Sequence, residues 1–193
     1  MSSLTTNIRL LQGDLLASPM RISAYHDLPF AILRYDAAEE WELRREVRHL
    51  ATRLHNAGKQ VHAISLAELL WEVVEEAEGI ETVAELERLR GFEAAQQQVT
   101  TYLVDPEWNP LPLALKDRLD PLDPERDIVF LARAAAMAPS VYHMSRLLDE
   151  MQGKTRVPTI LFYPGVPGGA TGLRFMGLRE RESTGNYRVK VYG

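Results

Sequence analysis

Apolar residues in this chain recur at two periods, and the alternation between them sketches the fold. Leu4, Ile8, Leu11, Leu15 and Leu16 return at helical spacing, which predicts an N-terminal helix ending near Ser18-Pro19. Leu28–Tyr35 then reads as a first strand, with Asp36 placed to cap the next helix, Ala37–Ala57. That helix sets Trp41, Val47, Leu50 and Leu54 on one side and dense charge on the other, and Asn56-Ala57-Gly58 stops it.

Val61–Ile64 is a short second strand, and Ser65 with Glu68 forms a capping-box pattern opening a helix over Leu66–Glu76. Glu81–Gln98 reads as one further helix, rich in Glu and Arg at i, i+4 spacing. Five prolines fall within Asp105–Pro124, which predicts an irregular surface excursion with a helical turn near Leu113–Leu119 and no domain boundary. Ile128–Leu131 is a third strand, and Ser140 is placed to cap a helix over Val141–Met151 that Gly153 ends.

The stretch Val157–Gly177 organises the rest. Ile160, Leu161, Phe162 and Tyr163 form the continuous apolar run of a strand covered on both faces, Thr159–Tyr163. A turn over Pro164–Gly172, with four glycines and two prolines in nine residues, leads to an apolar strand over Leu173–Met176. Tyr187–Tyr192 alternates and is expected to pair antiparallel with Leu173–Met176 across a turn at Ser183–Asn186. Strands separated by helices pair in parallel through right-handed crossovers. The expectation is a single α/β domain over residues 1–193, a three-layer sandwich with a mostly parallel, Rossmann-like sheet and an antiparallel C-terminal edge.

Composition narrows the functional classes. At 46% hydrophobic and 25% charged residues the chain resembles an ordinary globular domain. A formal charge of −5 argues against charge-driven binding to nucleic acid. A basic face on one helix, Arg44, Arg45, Arg48 and Arg53, is the only footing for direct DNA contact. Without cysteine there is no disulfide, thiolate metal site or cysteine nucleophile. The N-terminus lacks a signal-peptide pattern and no run reaches about 18 apolar residues, so a cytoplasmic location is expected.

Ligands of open α/β sheets bind beyond the carboxyl ends of the strands. Asp36, Ser65, Arg133 and the turn Tyr163-Pro164-Gly165 converge there and could form a phosphate or nucleotide pocket. The ordinary role of Asp36 and Ser65 at such places is helix capping, and that of Arg133 is pairing with a carboxylate. Gly153-Lys154-Thr155 imitates the end of a phosphate loop, but Leu148 occupies the first glycine position and a strand follows. Among His26, His49, His55, His62 and His143 no pair has metal-ligand spacing; His49 and His55 lie about 240° apart around a helix. No serine stands in a G-x-S-x-G elbow, and Glu75, Glu76 and Glu78 read as a solvated acidic face. No catalytic residue, metal or cofactor is expected. Tyr163, Phe175, Tyr187 and Tyr192 gather near the glycine turn and the sheet edge, where unpaired backbone can recruit a partner's strand.

Two segments carry a family resemblance. LPFAILRY through LLWEVVEE (28–76), then F-Y-P-G at Phe162–Gly165, L-R-x-x-G at Leu173–Gly177 and a closing Tyr187-Arg188 strand resemble the BrxB family of BREX (bacteriophage exclusion) systems. The resemblance implies a non-catalytic accessory subunit whose partners are other BREX components. An alkaline-phosphatase-like protein comes first among these, then a DNA methyltransferase or a large ATPase. The candidate contact surface is Tyr163, Pro164, Gly165, Gly168, Gly169, Arg174 and Phe175. The alternative is a regulatory protein that binds nucleotide or phosphate without a phosphate loop, through Asp36, Ser65 and Arg133.

Overall fold

The structure, a computed structural model, describes residues 3–22, 28–138, 141–168, 172–178 and 188–193. Helix α1 (Ser3–Leu15) precedes strand β1 (Phe30–Tyr35), helix α2 (Glu40–Asn56) and strand β2 (Gln60–Ser65). Four helices follow: α3 (Leu66–Ala77), α4 (Ile80–Arg90), α5 (Phe92–Val104) and α6 (Leu111–Leu119). Strand β3 (Asp127–Ala132), helix α7 (Met144–Met151) and strands β4 (Thr159–Gly168), β5 (Gly172–Phe175) and β6 (Lys190–Tyr192) complete the chain.

The sheet runs β2-β3-β4-β1-β6, with every pair along that path parallel. Its strands alternate between two apolar layers, as the two-residue period of a strand requires. Phe30, Ile32, Val129, Leu131, Leu161 and Tyr163 pack with α3, α5, α6 and α7. Ala31, Leu33, Ile128, Phe130, Ile160 and Phe162 pack against α1 and α2. The three-layer, mostly parallel α/β architecture expected from the sequence is therefore present.

The antiparallel edge is different from the expectation. Lys190–Tyr192 does not return to Leu173–Met176; it lies parallel beside β1, at the opposite side of β4 from β3. Asp14 holds it there, accepting bonds from the Lys190 ammonium at 2.5 Å and the Tyr192 hydroxyl at 2.8 Å. The antiparallel partner of β5 is β4 itself. The expected turn at Pro164 is a continuation of the strand, so that β4 leaves the sheet after Pro164 and forms a hairpin with β5. Tyr187 and residues 183–186 lie outside the described residues, as do His26, Ser140 and Gly169.

Three helical expectations also change. Gly91, at φ +86°, splits the single helix expected over Glu81–Gln98 into α4 and α5. The helical turn in the proline-rich segment is the nine-residue α6, whose Leu111, Leu115 and Leu119 are fully buried. Trp41 does not share the buried face of Leu50 and Leu54 but is 78% exposed.

Candidate functional site

Strands β1 to β4 present their carboxyl ends at one end of the sheet. Tyr35 is the last residue of β1, and Asp36 directly follows it. The Asp36 carboxylate accepts from the Ala38 amide at 2.9 Å, and its own amide donates to Glu39, a capping box that starts the 3-10 turn leading into α2. This turn brings Glu40 under Tyr35, whose hydroxyl donates to Glu40 Oε2 at 2.5 Å. The other oxygen, Oε1, accepts from Arg44 Nε at 2.7 Å. Burial first, then the Glu40 carboxylate, pushes the Tyr35 hydroxyl far above its ordinary pKa, so it stays a donor. The Arg44 guanidinium also lies 4.9 Å over the Trp41 ring.

From β2, Ser65 Oγ accepts from the Glu68 amide at 3.2 Å and caps α3, supplying one half of the expected box. From β3, Arg133 emerges in the left-handed conformation, φ 61° and ψ 34°, with its Nη1 3.8 Å from Glu68 Oε1. Between these groups and α2 lies a cavity of about 380 Å³, lined by Tyr35, Arg44, Arg48, Ser65, Arg133 and Phe162 among others. A second cavity of about 330 Å³ shares Tyr35, Glu40, Arg44 and Arg133 and reaches Pro164 and Met176 of the hairpin.

Of the expected crevice residues, the fold thus brings Ser65 and Arg133 together. Asp36 lines neither cavity and acts as a cap. The sequence does not single out Tyr35 and Glu40 as site residues, and it places Arg44 and Arg48 on the basic face of a helix. The signal available for them was a strand-terminal tyrosine followed by Glu40, Arg44 and Arg48 at four-residue steps. The rest of that basic face is dispersed: Arg53 Nε donates to Gln12 of α1 at 2.6 Å, and Arg45 lies between Glu42 and Glu46.

The hairpin residues divide by burial. Tyr163 and Phe175 are buried with their ring centroids 5.3 Å apart. Gly165 is buried beneath them, where a Cβ would stand 2.6 Å from the Arg174 carbonyl oxygen and 2.7 Å from the Tyr163 ring. Pro164 and Gly168 are buried too, whereas Pro167 is exposed and Val166 and Arg174 are half-buried. The surface of the hairpin is therefore carried by Val166, Pro167 and Arg174, with Tyr163, Gly165 and Phe175 building it from within.

The other candidates have structural partners. Glu75 accepts from the Ile80 amide at 3.1 Å, Glu76 from Asn109 at 3.1 Å and Glu78 from the Tyr102 hydroxyl. His62 Nε2 lies 3.1 Å from Asp127, which also accepts from the Asp123 amide at 2.8 Å. Among the described residues no three His, Asp or Glu side chains are grouped to hold a metal ion. No described helix is long and apolar enough to cross a membrane.

The fold and crevice define an open, parallel α/β protein with a ligand-sized cleft at the strand ends and a hairpin beside it. Residues 62–191 match the family model described as "BREX protein BrxB", a span of about two thirds of the chain. The chain belongs to the BrxB family, as the resemblance implied, and is a component of the BREX phage-defence type. No curated protein and no solved structure matches it.

Proposed function

We propose that the protein is a non-catalytic adapter subunit of its BREX system, docking another component through the β4–β5 hairpin. The observation that carries this reading is the β4–β5 hairpin, which turns Val166, Pro167 and Arg174 outward. β5 pairs antiparallel with a part of β4 that has left the main sheet. A hairpin of this kind can present its outward side chains to a partner, and the exposed Pro167 with the half-buried Val166 and Arg174 supply that surface. Family membership makes the other BREX components the partners of choice, with the alkaline-phosphatase-like protein first. The non-catalytic character is supported by the two crevice hydroxyls being engaged structurally, Ser65 as a helix cap and Tyr35 as a donor to Glu40.

The test is co-expression of the tagged chain with the neighbouring BREX genes, followed by affinity capture and sizing in solution. A stoichiometric complex is expected with the wild-type chain. The double variant Val166→Asp/Arg174→Glu, folded by circular dichroism, is expected to lose it. Full retention of the complex by that variant would remove the hairpin from the interface.

A further inference from the structure

The crevice carries chemistry that the adapter reading does not use. Three guanidiniums, those of Arg44, Arg48 and Arg133, line one cavity on a chain whose formal charge is −5. Their neutralisation is partial. Glu40 engages Nε of Arg44, and a guanidinium has four further N–H donors on its terminal nitrogens. Arg133 stands 3.8 Å from Glu68, beyond hydrogen-bonding distance. Arg48 makes no ion pair among the described residues.

Below this rim the cavity is apolar, with Leu43, Val47, Ala63, Ile64 and Phe162 in its lining. The volume of about 380 Å³ falls within the range of small-molecule sites. Its position beyond the carboxyl ends of parallel strands is where open α/β sheets hold ligands. Arg133 provides a further, independent sign. A non-glycine residue in the left-handed region is uncommon, and strain of this kind gathers at ligand clamps.

We propose that the crevice binds a nucleotide, with the base on the apolar floor and the phosphate on Arg44, Arg48 and Arg133. Guanidinium forks then do what backbone amides do in a phosphate loop, since they match phosphate oxygens in pairs. The apolar floor separates this ligand class from inorganic phosphate, which has nothing to place there. The second cavity, shared through Tyr35, Glu40, Arg44 and Arg133, runs from this site to Pro164 and Met176. Bound nucleotide therefore lies next to the base of the hairpin.

Isothermal titration of the isolated chain with the four ribonucleoside 5′-monophosphates, inorganic phosphate and a hexaglutamate peptide tests the assignment without any partner protein. At least one nucleotide is expected to bind 1:1 with Kd below about 1 mM, with inorganic phosphate roughly tenfold weaker or more. Arg48→Gln and Arg133→Gly are each expected to weaken nucleotide binding about tenfold, the loss of one charge-assisted contact. Glycine suits the backbone at position 133, so that variant separates loss of the guanidinium from misfolding. No heat from any nucleotide up to about 5 mM, or binding that both variants leave intact, would overturn the proposal. Binding of hexaglutamate without nucleotide would overturn it too, and would assign the crevice to an acidic segment of a partner.

Discussion

The hydroxyl of Tyr192 donates to the carboxylate of Asp14 at 2.8 Å, joining residues 178 positions apart in sequence. Lys190 Nζ reaches the same oxygen, and Arg21 Nε lies 3.2 Å from the other. The Lys190 hydrogen bond, then that of Tyr192, holds Asp14 below the usual carboxylate range against the opposing effect of burial. A carboxylate lowered in this way contributes stability that is fully present above about pH 4 and is lost as pH falls through its folded value. Asp14→Ala should cost about 1–3 kcal/mol at pH 7 in urea denaturation, and the gap from wild type should shrink below pH 4. A gap unchanged at pH 3 would show that Asp14 acts through packing and not through its charge.

Two glycines should respond to alanine in opposite directions. Gly13, in α1, has no atom within 4 Å of a new Cβ, and Gly13→Ala should raise stability by about 0.5–1 kcal/mol through helix propensity. Gly165→Ala should lower it by about 1–3 kcal/mol, because the Arg174 backbone and Tyr163 ring have to move. Thermal melts of the two variants, measured side by side, check both signs.

Arg133 occupies a backbone conformation that costs a residue with a side chain about 1 kcal/mol or more. Arg133→Gly relieves that strain while adding freedom to the unfolded chain, so stability should change by no more than about 1 kcal/mol. Arg133→Val, β-branched and unsuited to positive φ, should be clearly less stable than the glycine variant. Denaturant midpoints of the pair supply the comparison.

The α4–α5 pair exposes Leu89 at 76% and Phe92 at 62% while burying Val83. Leu89→Ser and Phe92→Ser should therefore leave stability within about 0.5 kcal/mol of wild type. Val83→Ala should cost about 1–3 kcal/mol. Equal losses at all three positions, measured by urea unfolding, would mean that the two exposed side chains are covered in solution.

Much of this arrangement was readable in the chain. The alternation of Phe30 and Ile32 with Ala31 and Leu33 is a strand between two apolar layers, and Ser65 and Arg133 follow from the strand-end rule. The misreadings have separate physical causes. Pro164 and Gly165 punctuate a sequence as a turn does, yet Gly165 is small because backbone and ring close over it within an extended strand. Lys190–Tyr192 is three residues long, too short to encode a register, and adjacency in sequence favoured the wrong neighbour. Apolar character alone puts Trp41 on the side of Leu50 and Leu54, whereas the rotation of α2 about its axis depends on the 3-10 turn ahead of it. The same rotation is what brings Glu40, Arg44 and Arg48 to the crevice; their four-residue spacing shows that they share a face, but not which way that face turns.

The position of β1 has a consequence for how the chain comes to be folded during synthesis. β1 is complete at Tyr35, but its two neighbours begin only at Thr159 and Lys190. An emerging polypeptide thus carries an apolar strand with both flanks open until residues 159–192 have left the ribosome. Contacts of such long sequence separation make for slow closure, and exposed strands in the interval are open to wrong pairings. For this protein the vulnerable period is translation itself, and the yield of native molecules should depend on elongation rate and on chaperones that shield Phe30–Tyr35 until β4 arrives.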